Sequence, residues 1–274
     1  MGSSSGDDPY KRLNYRRLIA WPKRIKRESP FLEAEIRQAP EPSVVDLGCG
    51  TGEHARHFAG AGFRAVGIDR SPEQIETASD FDGEFGRFGP QFLCGEIAAL
   101  EELTQERFGA AICLGNVLPH LEDEELAGVV AALAERLLPG GRLVVQMVNY
   151  ERIIARGERH LPLNVRDDPE ASGEIVFLRL MKRDGDRHVL FFPSTLELRP
   201  GEEPPLSVRS AKEVRLRTWR LVEIERAFAV GGFRVDGVYG DMRRAPYEAD
   251  DSADLVVTAV FDGGPGEPKA GEPQ

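Results

Sequence analysis

A glycine-rich loop follows an apolar run near the start of the chain, and an aspartate stands between them. The stretch VVDLGCGTG runs from Val44 to Gly52, with Asp46 directly before the loop. Glycines after a strand allow a nucleotide to approach the backbone closely. The dinucleotide fingerprint needs a third glycine where Glu53 stands, and a phosphate loop needs a lysine after its glycines. The loop therefore matches neither phosphate-binding pattern.

The charge of Asp46 indicates what could bind instead. A carboxylate at this place would repel a pyrophosphate by several kcal/mol at a low effective dielectric, and it would attract a cation. A second acid, Asp69, ends the next apolar run, AVGID, where a carboxylate can accept both hydroxyls of a ribose. The two acids therefore favour a cationic adenosine cofactor without phosphates, S-adenosylmethionine.

The elements around this loop alternate between strand and helix. Five apolar runs are predicted to be strands: SVVDL, FRAVGID, GPQFLCGEI, FGAAICLG and GRLVVQMVN. The segments between them predict helices at residues 54–61, in SPEQIETAS and in DEELAGVVAALAERLL, which Pro139-Gly140-Gly141 would stop. Two further strands, RVDGVYGD and ADLVVTAVF, follow a helix near the end. This order predicts a doubly wound, Rossmann-like α/β fold with a seven-stranded, mostly parallel sheet.

The alternation stops at residue 151, and this interruption sets the predicted domain boundaries. Residues 151–217 carry short β-like runs and an Asp184-Gly185 turn, so they predict an antiparallel insertion after strand 5, over the carboxyl edge of the sheet. Ser29-Pro30 predicts the start of a helix through Arg37. The predicted segments are a helical lid at 1–42, the cofactor-binding core at 43–150 and the substrate-side insertion at 151–217. The completion of the core sheet follows at 218–262, and a disordered tail at 263–274.

The composition of the chain argues against several classes of binding partner. The formal net charge of −11 over 274 residues argues against a nucleic-acid partner, because a phosphate backbone requires a basic surface. The three cysteines form no C-x-x-C pair, so they predict neither a disulfide framework nor a metal site. The start MGSSSGDD has no apolar signal region, and no run approaches the ~20 apolar residues of a membrane span. We therefore expect a cytoplasmic protein with no membrane partner.

The two acidic motifs resemble those of a known family. VVDLGCGTG and AVGIDRSPEQIETA closely resemble motifs I and II of the class I S-adenosylmethionine-dependent methyltransferases. FGAAICLGNVLPHL, VVQMVNYERI and YGDMRRAPYEADDSADLVVTAV are similar to stretches of glycine and sarcosine N-methyltransferases, and the insertion is shared in outline with amino-sugar N-methyltransferases. The resemblance implies transfer of a methyl group to a small molecule, in the first place an amine, leaving S-adenosylhomocysteine. Open alternatives are O-methylation of a natural-product hydroxyl or carboxyl, methylation of a protein, and a non-catalytic S-adenosylmethionine-binding module.

The resemblance also implies a set of cofactor contacts. The glycines would let the backbone approach the methionine part, Asp69 would hold the ribose, and the cofactor's carboxylate would need a cation such as Arg24, with Arg27 as the competing candidate. The expected cofactor-binding residues are Tyr15, Trp21, Arg24, Asp46, Gly48, Gly50, Gly52, Asp69, Arg70, Gly95, Glu96, Ile97, Leu114 and Asn116.

Fewer residues of the sequence point to the acceptor side, by which we mean the part of the site that would bind the molecule receiving the methyl group. His120, Asn149 and Tyr150 are the candidates near the transferred methyl group, although His120 could equally cap a turn. The candidate substrate-binding residues are Asn149, Arg215, Arg217, Trp219 and Tyr239, for which a solvated strand or core packing is the alternative. No base other than His120 stands out, so the sequence favours an enzyme that acts by positioning and desolvation. The expected partner is the small-molecule acceptor, and a homo-oligomer stays open.

Overall fold

The central sheet is built from buried strands that lie side by side. We describe residues 19–80, 85, 89–168 and 172–263 of a computed structural model. The strands of this sheet are β1 Ser43–Leu47, β2 Arg64–Asp69, β3 Gln91–Cys94, β4 Phe108–Cys113, β5 Leu137–Val148, β11 Phe233–Tyr239 and β12 Asp254–Phe261. The seven strands lie in the order β11-β12-β5-β4-β1-β2-β3.

Pairing within this sheet is parallel except at β12. Strands β1 to β5 pair in parallel, whereas β12 lies antiparallel between β5 and β11. Every residue of β1 and β4 is buried, as expected for strands that helices cover on both faces. The predicted seven-stranded, mostly parallel sheet is confirmed. Because β1, β2 and β4 are parallel neighbours, their carboxyl ends meet at one edge of the sheet.

Helices connect the strands and cover both faces of the sheet. Their bounds are α1 Trp21–Ile36, α2 Glu53–Gly60, α3 Pro72–Ser79, α4 Leu100–Leu103, α5 Asp123–Arg136, α6 Tyr150–Arg156 and α7 Leu221–Val230. Two sequence-based boundaries are wrong. Helix α1 continues through Pro30, because burial of Phe31 and Leu32 outweighs the ~3 kcal/mol cost of an internal proline. Strand β5 begins at Leu137, so Pro139-Gly140-Gly141 lies within an irregular part of the strand.

The insertion forms a second, antiparallel sheet. Its strands are β6 Asn164–Asp167, β7 Glu174–Asp184, β8 His188–Leu198, β9 Leu206–Ala211 and β10 Val214–Arg217. The order is β10-β8-β7-β6, and β9 also pairs with β8. One face packs on α6, where Tyr150 and Ile153 contact Met181, Phe191 and Leu216. The predicted antiparallel insertion is confirmed, and its contact with α6 places it beside the carboxyl edge of the central sheet.

Two searches concern the described ranges only, one for membrane-spanning helices and one for clusters of metal-binding side chains. None of the helices described is long and apolar enough to cross a bilayer. The described residues form no group of three or more His, Cys, Asp or Glu side chains that could hold a metal ion. The predicted disordered tail, 263–274, lies outside the described residues except for its first position.

Candidate active site

A pocket opens where the carboxyl ends of β1, β2 and β4 meet, and α1 contributes to its wall. The structure brings together in this pocket most of the residues that the sequence selected for the cofactor, together with the candidate base. Those that line it are Trp21, Arg24, Asp46, Gly48, Gly50, Asp69, Arg70, Glu96, Ile97, Leu114, Asn116 and His120. Tyr15 lies outside the described residues.

The glycine loop needs its glycines for two different reasons. Gly48, Gly50 and Gly52 all have left-handed backbone angles, with φ of 73°, 55° and 79°, which other residues rarely adopt. A Cβ atom at Gly52 would lie 2.5 Å from the ring of Phe92, so this glycine permits close packing of α2 on the sheet rather than ligand contact. A Cβ atom at Gly50 would meet nothing within 4 Å. Gly50 therefore presents open backbone to the pocket.

Asp69 fixes the loop from the neighbouring strand. Its Oδ2 accepts a hydrogen bond from the Gly50 amide at 2.8 Å, and its Oδ1 accepts one from the Ser71 amide at 3.0 Å. A carboxylate offers about four acceptor positions, which is more than these two amides use. Asp69 can therefore position the glycine loop and still receive the hydroxyls of a ribose.

Asp46 is buried at the bottom of the pocket without a full set of partners. Its residue surface is only 3% exposed, and its Oδ2 has no hydrogen-bond partner within the described part of the chain. Burial, together with the nearby charge of Asp69, raises the pKa of Asp46 from 3.8 to about 7. A buried, unpaired carboxylate is costly, and a cation in the pocket would remove that cost. The arrangement fits a ligand with a positive charge at this point.

Arg24 reaches the same pocket from α1. Its Nε donates to both carboxylate oxygens of Glu28, at 3.1 and 3.0 Å, whereas Nη1 and Nη2 make no hydrogen bond to the described residues. The guanidinium also lies 5.1 Å from the ring centroid of Trp21. Arg27 donates to Glu28 as well, but its side chain is 55% exposed and does not line the pocket. The geometry therefore favours Arg24 over Arg27 as the partner of a ligand carboxylate.

Glu28 and His54 hold Arg24 in place, and the sequence reasoning missed both. Burial would raise the pKa of Glu28, but the hydrogen bond to His54 and the charge of Arg24 lower it to about 2. His54 Nε2 lies 3.0 Å from Glu28 Oε2, and burial lowers the pKa of His54, so the imidazole is neutral at pH 7. One signal was present in the sequence, because Arg24 and Glu28 have the i, i+4 spacing of a helical ion pair.

The far end of the pocket follows β3 and α3. Glu96 and Ile97 line it, as does the exposed Arg70. Gly95 does not: its amide donates to the carbonyl of Asp69 at 3.0 Å, and a Cβ atom at this position would lie 2.6 Å from the side chain of Leu103. The sequence reasoning also missed Gln74, whose Oε1 is buried in the pocket wall without a partner in the described residues. An unsatisfied acceptor at this end suits the amino group of an adenine.

Two of the three candidates near the methyl group, Asn149 and Tyr150, do not line the pocket. Asn149 caps α6: its Oδ1 accepts from the amides of Glu151 and Arg152, and its Nδ2 donates to the carbonyls of Ala249 and Ser252. These bonds use the whole side chain, so Asn149 acts as a structural link and does not line the pocket. These bonds do not support the predicted role of Asn149 near the substrate or the methyl group, which stays a prediction.

Tyr150 lies directly behind the pocket wall. It is 2% exposed, its hydroxyl accepts from Nδ2 of Asn116 at 2.8 Å, and burial raises its pKa. The carboxamide oxygen of Asn116 accepts from the Val148 amide at 3.2 Å. Tyr150 therefore acts through Asn116 and is not itself in contact with the pocket. His120 alone, of the three candidates near the methyl group, lines it.

None of the other four substrate candidates lines this pocket either. Arg217 is 1% exposed, donates to Glu223 at 2.7 Å and stacks 4.3 Å from the ring centroid of Trp219, which donates in turn to the carbonyl of Leu118. Arg215 donates to Asp184 at the surface of the insertion. Tyr239 packs against Phe31 and accepts from Arg244. Both arginines therefore already have carboxylate partners, so their position does not support the predicted contact with a substrate carboxylate, which stays a prediction.

Comparisons with known proteins show what the sequence and the fold of the chain are similar to. Residues 44–141 match the family model described as a methyltransferase domain. The glycine/sarcosine N-methyltransferase of Halorhodospira halochloris is 31% identical over 144 residues, which are 51% of this chain and 52% of that protein. The chain therefore matches about half the length of this relative.

Two solved structures share the fold at low sequence identity. An S-adenosylmethionine-dependent methyltransferase from Clostridium acetobutylicum superposes with a TM-score of 0.70 at 18% identity, covering 93% of this chain and 96% of that one. The S-adenosylmethionine-bound amino pentose methyltransferase CalS10 from Micromonospora echinaspora has a TM-score of 0.65 at 19% identity, covering 95% and 100%. The resemblance inferred from the sequence motifs is confirmed, and so is the fold.

Proposed function

We propose that this chain, whose residues 44–141 match the model of a methyltransferase domain, binds S-adenosylmethionine and transfers its methyl group to a small-molecule amine. One observation carries the proposal: within the described residues, the pocket wall presents the unpaired carboxylate oxygen of Asp46 and the unpaired terminal guanidinium nitrogens of Arg24. A ligand with an ammonium group and a carboxylate on the same end satisfies both. The amino-acid end of S-adenosylmethionine has this pair of charges.

The rest of the pocket fits the remainder of the cofactor. Asp69 offers acceptors for the ribose hydroxyls, and the buried oxygen of Gln74 offers one for the adenine amino group. Glu96 and Ile97 flank the same end. The left-handed glycine loop lets the backbone come close without side chains in the way. The bound cofactor supplies an already activated methyl group.

The chain's own contribution to the reaction is positioning. Arg24 and Asp46 would hold the amino-acid end of the cofactor, and Asn116 and His120 line the same pocket. A neutral amine needs no strong base before it attacks, whereas a hydroxyl would need one close by. His120 is the one imidazole at the acceptor side of the described pocket, and it can accept the proton that the methylated amine releases.

We infer the chemical class of the methyl acceptor from the names of the relatives and from the small number of bases at the acceptor side of the described pocket. The matched relative is a glycine/sarcosine N-methyltransferase, and a structural neighbour acts on an amino pentose. Both names point to amines carried on small polar molecules. We therefore propose an acceptor of this class, either an amino acid or an amino sugar, bound between the pocket and the insertion.

The test is a transfer assay with methyl-labelled S-adenosylmethionine and a matched panel of acceptors. The panel contains glycine, sarcosine, several amino sugars and the corresponding hydroxyl compounds without the amine. We expect label on nitrogen and formation of S-adenosylhomocysteine in step with it. Transfer to hydroxyls alone would establish the O-methyltransferase alternative. Tight binding of S-adenosylmethionine with no transfer to any extract of small molecules would support the non-catalytic module.

A further inference from the structure

A second cavity lies between the insertion and helices α6 and α7, and it shares no lining residue with the cofactor pocket. Its walls come from α6, the turn between β7 and β8, the end of β10, the start of α7 and the loop before β12. The open volume of about 870 Å³ lies in the range of small-ligand sites. The charged residues that line the cavity are Glu151, Asp186, Arg187, Arg217, Arg220 and Asp250.

One wall of this cavity carries more guanidinium groups than carboxylates. Arg187 donates to both carboxylate oxygens of Asp123, at 2.6 and 2.8 Å. Arg217 donates to one oxygen of Glu223 at 2.7 Å, and Arg220 donates to the other at 3.3 Å. Within the described residues, three guanidinium groups therefore share two carboxylates. This basic wall keeps a net positive charge.

The guanidinium group of Arg217 is buried in the basic wall with one donor unused. Its side chain is only 1% exposed, and Nη1 donates to the carbonyls of Arg187 and Thr218 at 3.4 and 3.1 Å. Its Nε has no hydrogen-bond partner in the described part of the chain. A buried donor of a charged group is costly when nothing accepts from it. Because Arg217 lines the cavity, an anionic group of a ligand would supply the missing acceptor.

The opposite wall is acidic. Glu151 and Asp250 line it, and neither forms an ion pair with an arginine, lysine or histidine of the described ranges. Oε2 of Glu151 accepts only from uncharged donors, the Tyr247 hydroxyl at 3.1 Å and the first amide of α7 at 3.4 Å. Burial and the charges of Glu151 and Asp250 raise the pKa of Tyr247, so both carboxylates act on one side chain. Asp186 differs from them, because Arg183 donates to it at 2.8 Å.

We propose that this cavity is a second binding site, which takes a small zwitterion with an ammonium group and a carboxylate, such as a free amino acid. The carboxylate accepts from Nε of Arg217 beside the basic wall, and the ammonium group faces Glu151 and Asp250. An anion alone leaves the two acids without a cation, and an amine alone leaves Nε of Arg217 without an acceptor. The cavity is separate from the cofactor pocket, so this proposal does not rest on the proposed methyl transfer.

The test is a calorimetric titration of the full chain with zwitterions of increasing length: β-alanine, γ-aminobutyrate and ε-aminocaproate. Butyrate and butylamine are the comparison compounds, since each carries only one of the two charges. We expect at least one zwitterion to bind with a Kd at least ~10-fold below the values for both comparison compounds, because each charge-assisted contact contributes about that factor or more. No measurable binding of any zwitterion, or equal binding of butyrate or butylamine, overturns the proposal.

Variants locate the bound zwitterion. Glu151→Gln removes one charge from the acidic wall and should raise the Kd by ~10-fold or more. Asp250→Asn changes an exposed side chain, so it should raise the Kd without affecting the fold, and it decides the test if Glu151→Gln does not fold. His120→Gln is the control in the cofactor pocket and should leave the Kd unchanged. The urea midpoint reports whether each variant is folded. A Kd that folded Glu151→Gln leaves unchanged, or that only His120→Gln raises, overturns the proposal.

Discussion

Replacing Asp46 with asparagine should make the cofactor-free protein more stable and weaken its binding of the cofactor. Asp46 is 3% exposed, and its pKa rises from 3.8 to about 7 on folding. This shift of roughly three units corresponds to about 4 kcal/mol of unfavourable free energy when the group is ionised in the folded state. The asparagine side chain carries no charge to desolvate, so the free energy of unfolding should rise by up to about 4 kcal/mol at pH 8.

The sign of this effect depends on pH in a defined way. Because the folded pKa of Asp46 lies above the unfolded one, the folded state binds an extra proton between pH 3.8 and 7. The free energy of unfolding therefore falls as the pH rises through that window, and the contribution of Asp46 no longer changes above it. The advantage of Asp46→Asn should be largest at about pH 8, and it should shrink below about pH 7 and vanish near pH 4.

Cofactor binding should change in the opposite direction. A charge-assisted contact contributes about 1.5–3 kcal/mol, so Asp46→Asn should raise the Kd for S-adenosylmethionine by ~10- to 100-fold at pH 8. The unmodified chain should bind progressively more weakly below about pH 7 as Asp46 becomes protonated, and the variant should lack this dependence.

Urea unfolding of the cofactor-free protein at pH 5 and 8, together with calorimetric titration of the cofactor, measures both effects. Asp186→Asn is the control, since the Asp186 side chain is 93% exposed. Loss of stability in Asp46→Asn at pH 8, or an unchanged Kd, would refute the assignment of Asp46 as an unpaired carboxylate that awaits a cation.

Three further substitutions separate the roles of neighbouring residues. Arg24→Lys keeps the charge but loses the fork, so calorimetry should show a Kd for S-adenosylmethionine raised by ~10-fold; an unchanged Kd would point to another cation. Asn149→Ala removes the cap of α6 and its two donated bonds, so urea unfolding should show a loss of about 2–4 kcal/mol with cofactor affinity retained in the folded protein. His120→Gln should lower kcat for an amine by less than ~10-fold, whereas a drop of about 10²–10⁴-fold, the contribution of a general base, would show that proton removal limits the reaction.

Most residues that the sequence selected for the cofactor lie together in one pocket, because their signals are local. Asp46, the glycines and Asp69 lie at the ends of adjacent parallel strands, and the alternation of strand and helix places such ends together. The spacing of acids and glycines then restricts the charge of the ligand. The same reasoning could not find Gln74 or His54, because polar residues at the start of a helix are common and only the three-dimensional packing shows which are buried.

The acceptor side was less predictable because its residues are fixed by distant parts of the chain. Asn149 is occupied by carbonyls about 100 positions away, at Ala249 and Ser252. Arg217 looked available for a substrate, but it is buried against Glu223 and Trp219. Neither pairing has a sequence pattern. Burial and partner choice at such positions follow from the topology of the insertion, which composition and periodicity do not determine.

One measurement tests most directly whether this pocket holds S-adenosylmethionine and directs its methyl group to an amine. The protein is incubated with methyl-labelled S-adenosylmethionine and the acceptor panel, and mass spectrometry then locates the label. We predict label on the nitrogen of an amino acid or amino sugar, with one S-adenosylhomocysteine formed for each methyl transferred. Label found only on oxygen would contradict the amine assignment, and failure to bind S-adenosylmethionine at all would contradict the roles inferred for Asp46 and Arg24.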